Sequence, residues 1–179
     1  MKLIVTAAFL LMSLVPVFSQ QSKDSSPSAN DAVVSAVRQM GEHYGRNLTG
    51  AADEMPADKY SYRPTPEQIT FGHLMTHVAE SNNRLCSAIG GETHDVKLSE
   101  SDSKDTLAKA VKDSFAYCSQ VLEKANDSNL GQAVTLGNGQ TSTRGALLVR
   151  LTAGWADHYS AAAMYLRLNN LLPPSAAKK

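Results

Sequence analysis

Apolar residues recur at spacings of three and four in four separate stretches of this chain, with proline or glycine in the breaks between them. That spacing gathers apolar side chains on one face of a helix, whereas a half-buried strand would alternate. The first stretch covers about 30–53, where Val33, Val37, Met40, Tyr44 and Leu48 draw the stripe and Met55-Pro56 ends it. Asp31 near its start suits the helix dipole. The second covers about 66–89, marked by Leu74, Val78, Leu85 and Ile89, and Gly90-Gly91 stops it. Thr65 is its expected N-cap, with Gln68 three residues on. The third covers about 103–125, through Leu107, Val111, Phe115, Cys118 and Leu122. The fourth and longest covers about 142–170, through Leu147, Leu151, Trp155, His158, Ala162, Tyr165 and Leu166. Four amphipathic helices without a run of strands predict an all-α fold, a four-helix bundle. Asn138-Gly139 allows one small hairpin before the last helix. The loops are long enough for up-down or crossed topology.

The other segments set the boundaries. Lys2 precedes an apolar run over 3–14, Pro16 breaks it, and Val17-Phe18-Ser19 suits signal peptidase cleavage near Ser19 and Gln20. Residues 1–19 are therefore read as a signal peptide, 20–30 as a polar disordered spacer, 31–174 as the bundle and 175–179 as a loose tail. The protein is expected to be exported, periplasmic or secreted, with no stable membrane anchor once the signal is cleaved. The 17 basic and 17 acidic residues cancel, and no basic stripe appears, so nucleic acid is not an expected partner. In an oxidising compartment the even pair Cys86 and Cys118 favours a disulfide over a reactive thiol. Two buried free thiols are the other reading. No nucleophile elbow, phosphate loop, CxxC or HExxH motif is present.

Two stretches carry a family likeness: MPADKYSYRPTPEQITFGHLMTHVAESNNRLC at 55–86 and YLRLNNLLPP at 165–174. Together they resemble the DinB/YfiT-like metal-dependent proteins, in particular the exported ones. The resemblance implies a DinB-like bundle holding one divalent metal, zinc or nickel, on three histidines: one from the second helix and an HxxxH pair from the last. His77 matches the second-helix ligand and His158 the second member of the pair. The first member falls on Gly154, which has no side chain to offer, so the implied metal is held weakly or not at all.

His73, one turn before His77, supplies an HxxxH spacing of its own and is the tentative substitute ligand, the competing reading being a cap or a solvent-facing ring. Asp157 projects away from His158 and is a poorer candidate; His43 is read as a surface residue, with the cavity border as its other reading, and His94 in the polar loop is given no role. His77 and His158 are also readable as bundle histidines bonded to neighbours such as Ser81 or Tyr159. Trp155 is expected to pack, and Arg144 and Arg150 to be solvated or ion-paired. Two functions follow. One is a weak metal-dependent hydrolase or transferase using His77 and His158, with His73 as the tentative third ligand. The other is a non-catalytic helical module for a small apolar molecule or a protein partner, with a homodimer as a further option.

Overall fold

Each periodic stretch becomes a helix in the computed structural model, which describes residues 31–177. The helices are α1 (Ala32–Glu54), α2 (Phe71–Gly90), α3 (Lys104–Glu123) and α4 (Arg144–Leu168). A hairpin of β1 (Ala133–Thr135) and β2 (Thr141–Thr143) precedes α4, with Gly139 at φ 80° in its turn. The expected signal peptide over 1–19 and spacer over 20–30, and residues 178–179, lie outside the described residues. Among those described, no helix is long and apolar enough to cross a membrane.

Hydroxyl caps fix three of the helix starts. Ser103 accepts from Thr106 N, Thr143 from Ala146 N and Thr70 from His73 N. Each satisfies a donor that a helix start leaves open, worth about 1 kcal/mol. The second helix thus begins at Phe71 under Thr70, five residues after the expected cap Thr65, which sits in a turn closed by Gln68 N to Thr65 O. The linker explains the late start: its carbonyls at Tyr62 and Tyr60 take the N–H groups of Phe71 and Gly72. α1 is capped from a distance. The Asp127 carboxylate accepts from Val33 N and Val34 N, while Asp31 accepts from Asp127 N.

Contacts along the helices give their directions. Gly45 meets Phe115 and Arg38 Nε donates to Leu122 O, so α1 and α3 are antiparallel. Asn82 donates to Ser114 and Cys86 bonds Cys118, so α2 and α3 are parallel. Gly41 meets Trp155 and Tyr44 faces Tyr159, which makes α1 and α4 parallel. Trp155 bonds Asn82 and Tyr165 bonds Ile69 O, which makes α2 and α4 antiparallel. The bundle is crossed: α1 lies diagonally opposite α2, and α3 opposite α4. A parallel α2–α3 pair needs a return strap, supplied by residues 91–103. Thirteen extended residues reach about 43 Å, enough to run back along a 20-residue helix of about 30 Å.

The core has two lobes. One, near the α2 start, centres on Leu48, Met55, Phe71, Leu107 and Leu166. The other, near the hairpin, centres on Val34, Leu122, Leu148, Leu151, Trp155 and the Cys86–Cys118 bridge. The disulfide reading therefore stands, with 5.3 Å between Cα atoms and no free cysteine among the described residues. Two expectations are corrected. On α1, Val33 and Met40 are 46% and 37% exposed, and the inner face carries Val34, Gly41 and Gly45 instead. The tail is not loose through residue 177: residues 174–176 form a 3-10 turn, and Ser175 N and Oγ bond the Tyr159 hydroxyl.

Candidate functional site

The antiparallel α2 and α4 hold the candidate site between them. His77 and His158 meet edge to face with ring centroids 4.9 Å apart. They open on a surface cleft of about 370 Å³, which Ser81, Arg84, Arg150, Gly154 and Asp157 also line. His77 is exposed and His158 half-buried. Burial lowers the His158 pKa below the ordinary histidine value, the neighbouring His77 adds to this, and Asp157 opposes it. The neutral ring is the form that ligates a metal or shares hydrogen bonds.

Behind the rings the wall is fixed. Trp155 Nε1 donates to Asn82 Oδ1 at 2.8 Å, Asn82 Nδ2 donates to Ser114 Oγ at 3.1 Å, and Ser114 donates to Val111 O. Trp155 thus packs as expected, and its one polar atom has a partner. His77 Nε2 lies 3.5 Å from the Ser81 hydroxyl, the neighbour anticipated from sequence. Tyr159 is not a partner of His158, because its hydroxyl is spent on Ser175.

A three-histidine metal centre does not fit these residues. His73 is turned away: its backbone N–H joins the Thr70 cap, and its half-exposed ring lies 3.4 Å from Glu100 on the strap. The ring therefore lies against the strap and not beside His77 and His158, and the substitute triad of His73, His77 and His158 is not formed. A Cβ built on Gly154 would touch only His158 Cε1, at 3.6 Å. The position one turn before His158 is therefore open space beside the ring, without a donor. Among the described residues, no three His, Cys, Asp or Glu side chains gather as metal ligands. The remaining histidines are occupied elsewhere: His43 contacts Asn47 on α1, and His94 stacks on Tyr117 at 4.4 Å.

The profile of the DinB superfamily matches residues 41–161. The chain belongs to the DinB superfamily. No curated protein sequence matches it significantly. Solved structures share the DinB fold at low identity. A DinB-like protein from Bacillus cereus superposes with a TM-score of 0.65 at 14% identity, covering 78% of this chain and 95% of that one. A DinB-like protein from Bacillus subtilis gives 0.63 at 17%, covering 80% and 99%. A mycothiol-dependent maleylpyruvate isomerase gives 0.57 at 15%, covering 71% of this chain and 59% of its own.

The sequence points to the paired histidines of this DinB domain and does not single out Arg84, while Arg150 reads as solvated or ion-paired. Both lie on the histidine faces, Arg84 seven residues after His77 and Arg150 eight before His158. That two-turn spacing is the signal that places them on the cleft.

Proposed function

We propose that the protein is an exported DinB-like binding module, whose α2/α4 cleft receives a small molecule and whose metal site is reduced to two histidines. One observation carries this reading: His77 and His158 converge while Gly154 leaves the third ligand position empty of any donor. Catalytic zinc keeps three protein ligands and one open position, and two imidazoles fall short of that. Export is supported by the signal-like residues 1–19 and by the Cys86–Cys118 bridge, which suits an oxidising compartment.

A weak metal-dependent hydrolase or transferase is the second reading. It is favoured by the burial that lowers the His158 pKa and so shifts the ring towards its neutral, ligating form. Titration of metal-stripped protein with zinc and nickel separates the two. Wild type is expected to bind weakly or not at all, and Gly154→His to bind one ion tightly, because its ring would stand beside His158. Tight one-to-one binding by wild type would overturn the binding-module reading. A folded Gly154→His variant without gain would show that the two rings do not converge as ligands.

A further inference from the structure

We propose that the α2/α4 cleft is a receptor for a small aliphatic carboxylate, its charged head held between Arg84 and Arg150; this rests on reading the cleft as a ligand-binding site. The geometry is a ladder. His77, Ser81 and Arg84 occupy successive turns of one α2 face, and His158, Gly154 and Arg150 occupy successive turns of the facing α4. Because the helices are antiparallel and His77 meets His158, Ser81 comes opposite Gly154 and Arg84 opposite Arg150. The histidines form one end of the cleft and the guanidiniums the other.

Charge selects the ligand's head. Neither arginine makes an ion pair with a described residue; the three pairs found join Lys59 with Asp58, His73 with Glu100, and Lys109 with Asp113. Two unneutralised guanidiniums on one cleft repel each other, and an anion between them removes that cost. Their planar forks match a carboxylate bidentately. The protein carries no net charge, so this concentration is local and not a property of the whole surface.

Shape and the opposite end select the rest. The missing side chain at Gly154 leaves the middle rung open, and Leu85, Leu151 and Trp155 give it an apolar floor suited to a carbon chain. A volume of about 370 Å³ suits a small molecule. Asp157, the one acidic lining residue, lies at the histidine end and disfavours a second carboxylate there. A monocarboxylate with an aliphatic body meets all three conditions.

Trp155 is the only tryptophan in the chain and lines this cleft, so its fluorescence reports on occupancy. Metal-stripped protein is titrated with hexanoate, its neutral amide hexanamide, and inorganic phosphate at low salt. Hexanoate is expected to shift the fluorescence saturably, with hexanamide and phosphate at least ten-fold weaker. Arg84→Gln/Arg150→Gln, two exposed positions, is expected to keep the wild-type circular dichroism and lose ten-fold or more in hexanoate affinity; Arg84→Lys/Arg150→Lys should restore part of it. Equal binding of hexanoate and hexanamide, phosphate binding as tightly as hexanoate, or unchanged affinity in the folded glutamine variant would each overturn the proposal. Zinc titration of the same samples tests the binding-module reading separately: tight zinc binding sinks that reading whatever hexanoate does, and an absent hexanoate response sinks only the carboxylate proposal.

Discussion

The two flanks of α2 use the same helix in opposite ways. Towards α3 it is closed and cross-linked. Cys86 is bonded to Cys118, Asn82 Nδ2 reaches Ser114, and Gly90 lets Val121 in so closely that a Cβ would stand 3.3 Å from its methyls. Towards α4 it carries no cross-link: Asn82 Oδ1 takes the Trp155 N–H, His77 meets His158 edge to face, and between them the helices part around Gly154. Glycine serves both flanks with opposite results. At Gly72 and Gly90 the absent side chain is space already filled by a neighbour, whereas at Gly154 it remains space. A helix interior normally loses stability at glycine, and only on the closed flank does packing offset that loss.

Breaking the closed flank has the largest expected effect. Removing the bridge with Cys86→Ala/Cys118→Ala frees a loop of 32 residues, which should cost about 3–4 kcal/mol in urea unfolding. Next comes Gly72→Ala. A Cβ there would lie 2.8 Å from the Glu100 carbonyl, a backbone atom of the strap, so the strap must move at a cost of about 1–3 kcal/mol. The open flank should respond with the opposite sign. Gly154→Ala meets only ordinary contact with His158 and should stabilise the fold by up to about 1 kcal/mol; a loss would mean that α2 and α4 are closer than their geometry indicates.

The smallest effect is in pH. His158 has a lowered pKa in the folded protein, through burial first and His77 second, so below the ordinary histidine value of about 6.5 the unfolded chain takes up the proton more readily. Stability from this residue is therefore level above that pH, falls as pH drops below it, and levels again below the folded pKa. Comparing urea midpoints across pH for wild type and His158→Asn isolates the contribution; an unchanged slope in the variant would refute it.

The two flanks also differed in how far the sequence revealed them. Cys86 and Cys118 sit on plain apolar stripes, and the expectation of an oxidising destination paired them. His77 and His158 were legible through the family likeness. On α1, Val37, Tyr44 and Leu48 face the core as the spacing predicts, but part of the inner face is hidden from the pattern because Gly41 and Gly45, which lie against Trp155 and Phe115, carry no hydrophobic signal. The apolar spacing points instead to Val33 and Met40, which face water. The start of α2 was misplaced because Thr65 and Gln68 imitate a capping box, while the linker carbonyls that decide the matter come from Tyr60 and Tyr62. Arg84 and Arg150 look like solvated charges until the antiparallel register brings them to one cleft. Register is a property of two helices together, so neither helix's own pattern contains it.

The strap that makes α2 and α3 parallel has a consequence for the chain's integrity. Residues 92–95 are exposed along it, between Cys86 on one side and Cys118 on the other. A protease that cuts there yields two polypeptides, each keeping one half of the bridge. While oxidised they migrate as a single molecule; with a thiol reductant under denaturing conditions they come apart. Nicking is thus invisible to a non-reducing gel, and in a reducing environment the same cut leaves the two halves joined by packing alone.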